Sequence, residues 1–331
     1  MSTDFPIDEK LVVAVASSAL FDLKESDEIF EKQGVEEYRK YQTEKINEPF
    51  GKGVAFPFIR RLLKYNEIFS EKKPVEVIFL SRNDADTGQR LYRSAEHYGL
   101  PITRGAFLSG KPPYPYIKAF NASLFLSANE EDVRTAVDQG FPGGLVLNGD
   151  NIKDDDEDSH QLRIAFDFDG VIADDSSEIY LETEKSLSKY HKNESEHKHE
   201  PLKPGPLKDL LDKINRIQKL EWEKKKSDDT YVPGLSIAIV TARNAPADER
   251  FVTTMKYFGV SVDETFFLGG IKKKRILEVL KPHIFFDDQI KHLKSISPTI
   301  PSVHIPFGVK NRINENSAGD EVKNEGISED N

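Results

Sequence analysis

No cysteine occurs among the 331 residues, so neither a disulfide framework nor a thiolate zinc site is available, and the composition fits a reducing compartment with the cytoplasm as default. A membrane-spanning run is missing too. The stretch Leu11-Val-Val-Ala-Val-Ala-Ser-Ser-Ala-Leu-Phe21 looks like a leader, but it is too short to cross a bilayer and follows a mostly acidic start, so it reads as a buried strand. Positive charge is in deficit. With 46 Lys and Arg against 57 Asp and Glu, the formal charge of −11 disfavours a nucleic-acid polymer as partner and favours a small molecule. The remainder is ordinary globular material: 37% apolar residues in a chain long enough for two domains or one elaborated α/β domain.

Against that background Arg163-Ile-Ala-Phe-Asp-Phe-Asp-Gly-Val-Ile-Ala-Asp-Asp175 stands out, because a short apolar run delivers Asp167 and Asp169 onto a glycine turn. At the carboxyl edge of an open α/β sheet, where such folds bind ligands, Asp167 could attack phosphorus while Asp169, on the same side of the chain, passes a proton. Two crowded carboxylates resist joint ionisation, which argues for a divalent cation, and Mg²⁺ suits an all-oxygen shell. Three later strand ends add to this. Leu235-Ser-Ile-Ala-Ile-Val240 runs into Thr241-Ala-Arg-Asn244, whose hydroxyl and turn amides could hold a phosphate oxygen. Phe266-Phe-Leu-Gly-Gly-Ile-Lys-Lys-Lys274 places lysines beyond a third strand, and His283-Ile-Phe-Phe-Asp-Asp-Gln289 ends a fourth in paired acids. Each is an unremarkable strand end alone; the order Asp-x-Asp, Thr, Lys, Asp-Asp is what carries the signal.

That order resembles the four motifs of the haloacid-dehalogenase-like phosphatases. The strings Val54-Ala-Phe-Pro-Phe-Ile-Arg-Arg61, Leu80-Ser-Arg-Asn-Asp-Ala-Asp-Thr-Gly88, His97-Tyr-Gly99, Lys118-Ala-Phe-Asn121 and Phe285-Phe-Asp-Asp-Gln289 further resemble the cytosolic 5'-nucleotidases of type I, from about Leu11 to Gly308. The resemblance implies Mg²⁺-dependent hydrolysis of nucleoside 5'-monophosphates, AMP, IMP or their deoxy forms, through an aspartyl-phosphate. It makes Asp167 the nucleophile, and Asp169 the general acid/base and donor of a backbone carbonyl to the metal. Thr241 and Lys273 become the phosphate binders, with Lys272 and Lys274 as alternatives to Lys273, while Ala242, Arg243 and Asn244, on the turn directly after Thr241, are further candidates to touch phosphate or ribose. Asp287 and Asp288 complete a metal set with Asp167 and Asp169. A sugar-phosphate phosphatase or mutase of the same superfamily would carry the same motifs, and a non-catalytic nucleotide-binding protein is a further alternative. His191, His197 and His199 lie in a polar run and read as solvated rather than as ligands. The expected fold is an α/β, haloacid-dehalogenase-like Rossmannoid parallel sheet with helices on both faces.

The chain also repeats itself. A constant shift of 160 positions aligns Ser81–Ala128 with Thr241–Asp288 without a gap, and a shift near 150 relates the segments upstream. On this alignment Ser17 stands for Asp167, Ala19 for Asp169, Ser81 for Thr241, Pro113 for Lys273, and Ser127-Ala128 for Asp287-Asp288. The N-terminal half therefore reads as a degenerate copy. The expected divisions are a non-catalytic domain at 1–149, an acidic linker at 150–160, a catalytic domain at 161–309 with a cap insertion at about 175–234, and a disordered tail at 310–331. Within the insertion Leu207, Leu210, Leu211, Ile214 and Ile217 recur at helical spacing, as a core face does. First-half loops, Ser81 to Asp86 and Lys111 to Tyr116, are candidates to reach the base. No membrane partner is expected, and a homo-oligomer is compatible with everything above.

Overall fold

The computed structural model describes residues 6–149 and 159–312. Its strands are β1 (Leu11–Val15), β2 (Phe21–Asp22), β3 (Gly51–Lys52), β4 (Val75–Ser81), β5 (Arg104–Phe107), β6 (Leu124–Ser127), β7 (Gly143–Val146), β8 (Leu162–Phe166), β9 (Leu235–Thr241), β10 (Glu264–Phe267), β11 (Ile284–Asp287) and β12 (Ser302–His304). Ten of them form one sheet in the order β10-β9-β8-β11-β12-β7-β6-β1-β4-β5, while β2 and β3 make a separate two-stranded ribbon. The run from Leu11 is thus a strand only to Val15, after which Ser17–Leu20 turns helical.

The central strands are mostly apolar because both their faces are covered, whereas the edge strands β5 and β10 are only partly buried. Alternate residues divide cleanly between two sides. Val13, Val15, Val77, Phe79, Leu126, Ile164, Phe166, Ile239 and Phe286 join a core that runs under both halves of the sheet. Their neighbours Val12, Ala14, Ile78, Leu80 and Phe125 pack on the other face in the first half, and Ala165, Val240 and Phe285 do so in the second. The two halves pack on one another without a break. They share one core and one sheet.

Both halves have the same strand order, and corresponding strands begin 160 positions apart (β4 and β9, β5 and β10, β6 and β11) or 151 apart (β1 and β8). Within the ten-stranded sheet, pairing is parallel inside each half and antiparallel where β7 meets β12, with Val146 opposite Val303 and Leu145 opposite His304. That junction depends on Gly144, where a Cβ would lie 2.5 Å from Val303 Cγ1. Two corrections follow. Val13 pairs with Leu124 as Ile164 pairs with Ile284, so Asp167 corresponds to Ala16 and Asp169 to Ser18, one residue before the positions that sequence alignment picked. The backbone agrees, since Ala16 N donates to Leu126 O and Asp167 N to Phe286 O, both at 2.8 Å. Moreover, the antiparallel junction sends the carboxyl ends of the two halves to opposite edges of the sheet. The loops after β4 and β5, from Ser81 and from Lys111, lie at the edge away from Asp167.

Between β8 and β9 come three helices, Ser176–Glu184, Leu187–Glu196 and Lys208–Ser227. Leu207, Leu210, Leu211, Ile214 and Ile217 are all buried in the shared core, so the third helix is a layer of the sheet and only the first two stand beyond it. The acidic stretch falls outside the described residues except for Ser159 and His160. The tail does so from residue 313. Before it, Lys310 pairs with Glu182 and Arg312 with Asp175.

Candidate active site

Strand β8 releases Asp167 at its carboxyl end, buried at 4% exposure, with Phe168 N donating to Asp167 Oδ1 at 2.7 Å. Strand β11 ends on Asp287, and the helix Lys273–Leu280 begins beneath them. Lys273, fully embedded at that first turn, places Nζ 2.5 Å from Asp167 Oδ2 and 2.7 Å from Asp287 Oδ2. Of the three consecutive lysines it is this one that enters the site; Lys272 is exposed. Burial alone would lower the Lys273 ammonium, but the carboxylates of Asp167 and Asp287 outweigh it and push the group up, so it stays a cation. Burial and the neighbouring acids push Asp167 up to about 6 despite that ammonium. Asp287 is held low: Lys273 and His292, whose Nδ1 lies 3.3 Å from its oxygens, overcome the burial penalty.

Asp288, the next residue, is entirely buried, and neither carboxylate oxygen has a hydrogen-bond partner among the described residues. A buried anion in that condition is costly. Burial and then Glu178, Asp287 and Asp167 push its carboxyl far above the usual range. Gly170 makes room for it: at φ +73° its position suits glycine, and a Cβ there would sit 2.9 Å from Asp288 Cγ. An orphaned carboxylate among acidic neighbours fits a hard divalent cation such as Mg²⁺. Asp167, Asp287 and His292 also converge closely enough to share an ion.

Asp169 is differently placed. Its carboxylate takes a two-pronged bond from Arg243, Nε to Oδ2 at 2.7 Å and Nη2 to Oδ1 at 2.6 Å. Arg243 is itself buried and spent on internal partners, with Nη1 2.5 Å from Glu194 Oε2 and Nη2 2.8 Å from Ser177 Oγ. Glu194 receives Arg250 at 2.9 Å as well and is held below its ordinary value by these guanidiniums in spite of burial. The guanidinium of Arg243 thus faces Asp169 rather than open solvent, while its backbone N donates to Thr241 Oγ1 at 3.2 Å. Thr241 is buried at the end of β9, and Ala242 is exposed on the turn after it. Phe168 is a packing residue, edge-on to Phe251 at 4.6 Å.

Sequence reasoning missed Glu178, Ser177, Glu194, Arg250 and His292. Glu194 sits in Lys192-Asn-Glu-Ser-Glu-His-Lys198, a string indistinguishable from a solvated face, and only the fold drives it inward. Of the nearby histidines, His197 makes a local bond to Asn193 O at 2.8 Å, whereas His191 reaches across 53 positions to Asn244 Oδ1 at 3.1 Å, on the turn that follows Thr241, and is not simply solvated.

A lysine clamped between two carboxylates at the carboxyl edge of a parallel sheet, with a third acid lacking partners, is an arrangement suited to phosphoryl transfer. The chain belongs to the 5'-nucleotidase family, whose sequence model matches residues 3–312. It is 33% identical over 290 residues to cytosolic 5'-nucleotidase 1B of Homo sapiens, across 86% of this chain and 47% of the human protein. The chain therefore spans about half the length of that curated relative. No solved structure matches. Among the described residues no helix is long and apolar enough to cross a membrane.

Proposed function

We propose that the chain hydrolyses nucleoside 5'-monophosphates to nucleoside and phosphate in the cytosol, with Asp167 as nucleophile. The observation that carries this reading is the clamp of Lys273 between Asp167 and Asp287 beside the orphaned Asp288, in a chain of the 5'-nucleotidase family. Asp167 attacks phosphorus and the ester bond to the nucleoside 5'-oxygen breaks, leaving an aspartyl-phosphate; Lys273 balances charge on the transferred oxygens. Asp169 protonates the departing oxygen and then deprotonates the water that cleaves the acyl phosphate. For that work its carboxyl turns from Arg243 toward the substrate. Thr241 Oγ1 and the turn amides from Ala242 receive a phosphate oxygen. A bound Mg²⁺, held by Asp167, Asp288 and the Asp169 carbonyl, would supply positive charge to the phosphoryl oxygens.

The matching strand orders support an origin of the two halves by duplication of a haloacid-dehalogenase-like unit. In the first half the corresponding positions are Ala16, Ser18, Ser81, Pro113, Ser127 and Ala128, so no nucleophile or acidic ligand remains there. The helices Ser176–Glu184 and Leu187–Glu196 are the candidate cap, since they stand beyond the sheet and touch Asp169 through Arg243.

Phosphate release from a panel of nucleoside monophosphates and sugar phosphates, with Mg²⁺ or chelator, tests this against Asp167→Asn. Release confined to nucleotides and lost in the variant is the expected result. Preference for sugar phosphates would overturn the substrate assignment, and no release from either would overturn the activity.

A further inference from the structure

We infer that Glu178, on the helix Ser176–Glu184, supplies a carboxylate oxygen to the same cation as Asp288, so that the segment beyond the sheet forms part of the metal centre. The inference rests on the proposed function only in requiring a divalent cation at Asp288. Three buried carboxylate oxygens lack any hydrogen-bond partner in the described residues: Asp288 Oδ1, Asp288 Oδ2 and Glu178 Oε2. Buried polar atoms are almost always satisfied, and orphans of one charge sign in one place mark the seat of a missing counter-charge. The two residues are tied together. Gln289, which directly follows Asp288, donates Nε2 to Glu178 Oε1 at 2.8 Å and leaves Oε2 as the open position.

Chain geometry places Glu178 against this site, since its carboxylate is held by the residue next to Asp288. Lys310 is bonded to Glu182, and Lys273 to Asp167 and Asp287, so neither ammonium takes the open Glu178 Oε2. A divalent cation taking Asp288 on one side and Glu178 on the other would satisfy all three oxygens at once. It would also fasten the helix Ser176–Glu184 to the sheet.

The test is Mg²⁺ binding by titration calorimetry, and Mn²⁺ binding by paramagnetic resonance, on metal-free full chain without nucleotide. Glu178→Gln keeps the shape and the Gln289 contact and should weaken cation affinity by about ten- to a hundred-fold, the range for loss of a supporting group at a metal centre. The rise in Tm that Mg²⁺ produces should shrink in parallel. Glu178→Asp, which keeps the charge but withdraws it, should weaken binding less. Denaturation in chelator establishes that each variant is folded before titration. Unchanged affinity in both variants would overturn the inference. Because substrate is absent, Glu178-dependent binding in a chain that releases no phosphate would sink the nucleotidase reading and leave this one standing.

Discussion

Replacing Lys273 by methionine should destabilise the metal-free protein by ~3–5 kcal/mol, the usual cost of stranding a buried ionic partner. The magnitude follows from the clamp. With Nζ at 2.5 Å from Asp167 Oδ2 and 2.7 Å from Asp287 Oδ2, Coulomb's law gives roughly 6 kcal/mol per pair at an effective dielectric near 20. Taking three charged groups out of water offsets most of that, by several kcal/mol per ion. The variant keeps the cost of burying the two carboxylates and loses their counter-charge. Urea denaturation in chelator, parent against Lys273→Met, measures the difference directly. Adding Asp167→Asn to the variant removes one stranded charge and should recover part of the loss, which a double-mutant cycle would show. Saturating Mg²⁺ should also narrow the gap, since it brings positive charge back to Asp167. Turnover should fall by ~10²–10³, as for removal of a preorganised charge at a developing anion. A loss below ~1 kcal/mol in chelator, with no recovery in the double variant, would refute the view that these three groups form one unit.

Glu194→Gln removes the charge that Arg243 and Arg250 share; it should slow nucleotide turnover by at least about tenfold and shift the pH profile of kcat, because the guanidinium that holds Asp169 is then free to reorient. A kcat profile superimposable on that of the parent would count against a link between this helix and Asp169. Metal-free stability should fall as pH rises through about 6 toward about 8, because Asp167 and Glu178 retain protons in the folded chain that the unfolded chain has already released. Denaturation midpoints between pH 5 and 8.5 in chelator would show it, and a midpoint constant or rising over that window contradicts these assignments. Gly170→Ala should fold, at a cost of about 1 kcal/mol for the left-handed backbone, yet lose most Mg²⁺ affinity as the new methyl displaces Asp288; calorimetry with unchanged affinity would remove Gly170 from the argument. Gly144→Val, driving a side chain into Val303, should cost ~1–3 kcal/mol or more and lower the single denaturation midpoint of both halves together. Two separated transitions would instead mean that the halves fold independently.

How much of this was legible beforehand depends on the range of the interaction. Strand positions follow from local apolar runs bounded by turns, and the phase of 160 between the halves was visible in the sequence because β4, β5 and β6 keep uniform spacing to β9, β10 and β11. The one-residue misplacement at Ala16 arose where the spacing becomes 151, in a region with too few identities to fix the register; only the pairing of Val13 with Leu124 decides it. Lys273 could not be told from Lys272 and Lys274 by composition, since all three are lysines in one run. The helix start turns one of them inward.

By itself the sequence determined the α/β class, the order of the four strand-end motifs, the acidic excess that disfavours a polymer partner, and the apolar face Leu207 to Ile217, because each is written in contiguous residues or in a short period. The tertiary structure alone decided that β7 meets β12 antiparallel, which turns the first half's loops away from Asp167. It alone decided which carboxylates are partnered: Asp169 by Arg243 across 74 positions, Glu178 by Gln289 across 111, and Asp288 by none of the described residues. Such pairings depend on burial and on distances between residues far apart in the chain, and neither is a property of any local string.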